Sequence, residues 1–137
     1  MASPIRIPVI KLYSHLIVPI QGLLGDGVME ELSEQVSQRI VTDGVTGLII
    51  DVSAIDVMDS YVTRVVRDLA LTARLMGVDT VVSGMQANVA ITIIEMGLEI
   101  PGVATTLNLE RALEHLDQLH DDRDRERSEA EAPHGEP

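Results

Sequence analysis

The chain has 137 residues, 45% of them hydrophobic, and a formal net charge of −12 at pH 7. That size and composition predict one globular domain with a real core, not a disordered polymer. The absence of cysteine excludes disulfides, thiolate metal sites and cysteine nucleophiles, and the acidic field disfavours nucleic acid and anionic membrane as partners.

Tyr13 and Tyr61 are the only aromatic residues, so the core has to be aliphatic and no platform for stacking on bases exists. The N-terminal apolar stretch is broken by Pro4, Pro8, Pro19, Lys11 and His15 and does not read as a signal peptide. No run reaches the roughly 18 apolar residues of a membrane span. A cytoplasmic protein is expected.

In chain order, "IRIPVIKL" (5–12) alternates as an edge strand, with Pro8 confining it to an edge or bulge. Tyr13-Ser14-His15 reads as a tight turn, and "LIVPIQG" (16–22) as a second, antiparallel strand. Val28, Leu32, Val36 and Ile40 recur every four residues and mark a helix, with Asp26 as its expected N-cap and Asp43-Gly44 as its end. "TGLIIDVS" (46–53) is a continuous apolar run, the pattern of a strand covered on both faces.

A helix follows from about Tyr61, with Val62, Val65, Val66, Leu69, Ala73 and Met76 on its apolar stripe. "VDTVVSG" (78–84) is another buried strand, "ANVAITIIEMG" (87–97) another helix, and "GVATTL" (102–107) a short strand. Asn108 caps a last helix whose stripe is Leu109, Ala112, Leu113, Leu116 and Leu119. From about Asp121 the chain is dense in acids and arginines and has no large apolar residue, so residues 121–137 are expected to form a disordered, charged tail. The order β-β-α-β-α-β-α-β-α implies one α/β domain over residues 1–120, with a mixed, mostly parallel sheet and flanking helices.

Catalytic signatures fail when tested. Ser60 lies in no G-x-S-x-G elbow, there is no Walker lysine and no G-x-G-x-x-G, and His15, His115, His120 and His134 are scattered. No nucleophile–base pair can be assembled, so no enzyme, metal or cofactor is expected.

What stands out is "DVMDSYV" (56–62), where the strand ending in Asp51 meets a helix. Asp59 or Ser60 can act simply as the N-cap, Asp59 more naturally so, with Asp51 and Asp56 shaping the loop. The same position suits a phosphate acceptor. A phosphate on Ser60 would sit at a helix N-terminus, where the dipole tolerates anionic charge, while Asp56 and Asp59 add like charge and push it outward.

"IPVIKLY", "IIDVSAIDVMDSYVTRVV" and "LMGVDTVVSGMQANVAITIIEMGLEIPGVATTLNLERALEHL" together resemble a STAS domain over about Ile5 to Leu119. More narrowly they are similar to the small stand-alone STAS subunit of the bacterial stressosome, the RsbS type. The D-S-[FY] step after a buried strand ending in Asp is the most specific part.

The resemblance implies a non-catalytic scaffold that self-associates and co-assembles with RsbR-type co-antagonists bearing a C-terminal STAS domain. It implies sequestration of an RsbT-type serine kinase of the GHKL class, which phosphorylates Ser60 and departs, and a phosphatase that resets the switch. The loop matching the second acceptor of related co-antagonists is "GMQAN" (84–88), which has no hydroxyl. The alternative within the fold is an anti-anti-sigma factor that binds a kinase-like anti-sigma protein directly.

Overall fold

The computed structural model describes residues 7–21, 27–56, 60–95 and 102–131. In chain order these form β1 (Ile10–Leu12), β2 (His15–Pro19), α1 (Val28–Asp43), β3 (Gly47–Asp51), α2 (Ser60–Leu75), β4 (Asp79–Ser83), α3 (Ala87–Glu95), β5 (Ala104–Thr106) and α4 (Leu109–Glu131). The sheet order is β1-β2-β3-β4-β5; β1 pairs antiparallel with β2, and every later pair is parallel. This is the expected fold class, a single α/β domain.

Strand periodicity divides the core. Leu16, Val18, Leu48, Ile50 and Val82 face one side, where they meet Leu32, Val36 and Ile40 of α1, Val62, Val65, Val66 and Leu69 of α2, and Val89 and Ile93 of α3. Ile17, Ile49 and Val81 face the other, where Ala112 and Leu116 of α4 cover them. Three helices thus share one face of the sheet and α4 alone closes the other. Such an arrangement follows from successive right-handed crossovers running in one direction across the sheet.

Details of the elements differ from the sequence reading: His15, read as part of the turn, begins β2, and Leu109, read on the stripe of the last helix, is exposed. The N-cap of α1 is Gly27, with a left-handed backbone and no side-chain cap bond, while Asp26 lies outside the described residues. Met76, expected on the stripe of α2, falls past its end and is 38% exposed.

The foot of the sheet holds a buried histidine. His15 is 4% exposed, its Nε2 lies 3.3 Å from Asp117 Oδ1 on α4, and its Nδ1 has no hydrogen-bond partner among the described residues. Gly47, its neighbour in the ladder, leaves the space that the ring occupies. A Cβ there would come within 2.6 Å of His15 Nδ1 and 2.9 Å of Leu116 Cδ1.

The last helix runs past Asp121, where the charged tail was expected to begin. Helix α4 continues through Glu131, and only residues 132–137 of the expected tail lie outside the described region. Low apolar content argued for disorder there, yet Arg, Glu and Ala, good helix formers, make up most of residues 121–131, and the segment begins as an extension of a docked helix, which removes the cost of nucleation. Arg123 also ties it back: its two terminal nitrogens reach the Asp79 carboxylate at 2.6 and 2.7 Å, at the start of β4.

Three outcomes are expected. Gly47→Ala lowers stability by about 1–3 kcal/mol in urea denaturation, because His15 and α4 must both give way; a variant as stable as wild type would contradict this packing. Arg123→Ala costs no more than about 1 kcal/mol, since the pair is solvent-exposed on the Arg123 side. Deleting residues 121–137 should remove helical ellipticity at 222 nm in proportion to the Asp121–Glu131 segment, and an unchanged spectrum would show that this segment is not helical.

Candidate functional site

The carboxyl ends of β3, β4 and β5 meet at one edge of the domain, and the β3–α2 connection emerges there. Backbone bonds set its course: Ile20 N–H donates to the Asp51 carbonyl at 2.9 Å and Val52 N–H to that of Ser83 at 2.9 Å, so the ladder persists one step beyond β3. Val52 and Ile55 are buried, and Ile55 N–H closes a turn onto the Val52 carbonyl at 3.0 Å. Apolar anchors at these two positions leave Ser53, Ala54 and Asp56 exposed.

Asp51 organises the root of this loop. One of its oxygens accepts from Ser53 N–H at 3.1 Å and the other from the Ser53 hydroxyl at 3.1 Å, an Asx-type turn that bends the chain as it leaves the strand. The buried Ser83 hydroxyl, at the end of β4, adds a longer contact of 3.5 Å. Gly84 then passes close by with φ +78°. A Cβ there would lie 2.8 Å from Ser53 Cβ and 3.0 Å from Asp51 Oδ1, so both the backbone and the available space demand glycine.

The β4–α3 connection grips the same loop from its other side. Gln86 Nε2 donates to the Ser53 carbonyl at 3.2 Å and approaches Asp56 Oδ1 at 3.4 Å, and Asn88 Nδ2 donates to the Asp56 carbonyl at 2.9 Å. The sequence reading singled out the "GMQAN" stretch only for lacking a hydroxyl. Its amide side chains are the residues that reasoning missed, and no local pattern announces a contact across about thirty residues.

Ser60 is the first residue of α2 and is exposed. Of the acidic residues assigned to this junction, Asp51 ends β3 at the root of the loop, Asp56 stands in the loop held by Gln86 and Asn88, and Asp59 lies outside the described residues. Below Ser60, Arg64 Nε donates to the Ser60 carbonyl at 3.3 Å. The histidines are elsewhere: His15 begins β2 at the opposite end of the sheet, and His115 and His120 ride on α4 across it. No group of three or more potential metal ligands is present among the described residues. The arrangement therefore displays a hydroxyl at the start of α2, beyond a loop braced by Gln86 and Asn88.

The STAS domain model matches residues 6–112. A serine-to-glutamate variant of RsbS from Moorella thermoacetica is 37% identical and superposes with a TM-score of 0.74, covering 85% of this chain and 98% of that one. A chain of a structure described as the molecular architecture of the stressosome, a signal integration and transduction hub, is 38% identical with a TM-score of 0.75, over 82% of this chain and 98% of that one. The RsbT co-antagonist protein RsbRD of Bacillus subtilis (strain 168) is 23% identical over 82% of this chain but 41% of its own length, so this chain spans about two fifths of that relative. With the five-stranded mixed sheet and four helices already described, these findings lead to one conclusion: the chain belongs to the STAS domain family, where it is similar to RsbS.

Proposed function

We propose that this protein is a non-catalytic scaffold subunit of a stressosome-type assembly, acting in the cytoplasm, and that Ser60 is its phosphorylation switch. The observation that carries the reading is the 37–38% identity to RsbS and to the stressosome chain, each matched over 98% of its length. It favours this role over a free-standing anti-anti-sigma factor. Partners on this reading are copies of the chain itself, an RsbR-type co-antagonist, an RsbT-type serine kinase and a phosphatase; nucleic acid and membrane are not among them. No helix among the described residues is long and apolar enough to cross a membrane.

The chemistry of the switch follows from the braced loop. The hydrogen bonds from Gln86 and Asn88 hold Asp56 and its neighbours against α3, so a bound kinase meets a preformed surface with a hydroxyl at its edge. Transfer of a phosphoryl group to the Ser60 oxygen adds about −1.5 to −2 charges at neutral pH. A protein packed closely there then meets like-charge repulsion worth several kcal/mol, enough to release it while the fold stays intact.

Four outcomes test this. With its kinase and Mg-ATP, the wild-type chain takes label at Ser60, and Ser60→Ala takes none while assembling normally; full labelling of Ser60→Ala sinks the assignment. Ser60→Asp should still assemble but hold the kinase at least about tenfold more weakly in a titration. Asn88→Ala should loosen the loop, cost about 1 kcal/mol of stability and slow labelling of Ser60, with assembly size in light scattering unchanged. A strict monomer at every concentration, alone and with a co-antagonist, would end the scaffold reading.

A further inference from the structure

Arg64 lies one helical turn beyond Ser60, on the same stripe of α2. Its exposed side chain folds back toward the helix start, with Nε 3.3 Å from the Ser60 carbonyl oxygen. Helical side chains lean over the preceding turn, so this guanidinium shares space with whatever the Ser60 side chain carries. The next cation is used differently: Arg67 Nε bonds the neighbouring Asp68 carboxylate at 3.2 Å. Among the described residues Arg64 has no carboxylate partner.

We infer that Arg64 is the built-in counterion for a phosphate on Ser60, a positioning residue that holds the modified side chain against the start of α2. The inference rests on the phosphorylation reading above and says what becomes of the phosphate once attached. A guanidinium presents parallel N–H donors that match two phosphate oxygens. Turning toward them gives up one side-chain bond to the Ser60 carbonyl, an oxygen that the helix ladder also uses. Asp56 contributes like charge on the loop, and Arg64 offsets it from the helix side. The phosphate then changes the surface without unwinding the first turn of α2.

The test separates this inference from the kinase assignment. Phosphoserine is installed at position 60 during translation, so no kinase is needed, and phosphorus NMR follows the second ionisation of the phosphate with pH. A nearby guanidinium favours the dianion, so the midpoint in Arg64→Gln should lie above that of the wild-type chain by about 0.2–0.7 of a pH unit. Arg64→Lys should recover part of the difference, and Arg67→Gln should leave the midpoint in place. Circular dichroism of each variant checks that α2 is intact, as expected for an exposed position. Equal midpoints in the wild-type and Arg64→Gln chains overturn the inference, and so does an equal displacement by Arg67→Gln. Either result leaves the kinase assignment standing, whereas a Ser60 that its kinase fails to label removes that assignment and leaves the ionisation result as measured.

Discussion

Leu48, Ile49 and Ile50 are wholly buried, so β3 needs apolar cover on both faces of the sheet. At roughly 25 cal/mol per Å² of apolar surface, leaving a face open would cost about 1.5–3 kcal/mol for each such side chain, Leu48 and Ile50 on one face and Ile49 on the other. One face takes three helices and the other takes α4. Because β3 is central and parallel to both neighbours, its carboxyl end opens where those layers part, and the connection to α2 emerges beside the connection from β4. The position of Ser60 is a consequence of how β3 is covered.

Asp51 turns that position into a defined shape. It is the last residue of β3, and its carboxylate serves the Ser53 backbone and hydroxyl while Ser83 approaches from β4. Gly84 makes the approach of the two loops sterically possible, and Gln86 and Asn88 use it to clasp the loop backbone. A hydroxyl shown on such a braced edge can be read by another protein in one charge state and refused in the other. That capacity suits a binding switch better than catalysis, which needs a base aligned with the nucleophile.

The opposite pole is held by polar contacts of another kind. His15, roofed by α4 and given room by Gly47, and the Arg123–Asp79 pair both fasten α4 to the feet of the strands. They lie at the opposite ends of the strands from Ser60.

Much of this was legible in the residues themselves. The continuous apolar run of "TGLIIDVS" and the stripe from Val62 to Ala73 determined a doubly covered strand followed by an amphipathic helix, because the periods of side-chain direction are local properties of the backbone. The serine at their junction was visible for the same reason. The grip of Gln86 and Asn88 on the loop, the room that Gly47 leaves for His15 and the continuation of α4 past Asp121 were decided only by the tertiary structure. Each depends on groups brought together from distant parts of the chain: an amide meeting a carbonyl some thirty residues away, a missing Cβ beside a ring, and an arginine meeting an aspartate forty-four residues earlier. Such contacts have no period and no fixed spacing, so only the folded arrangement of strands and helices specifies them.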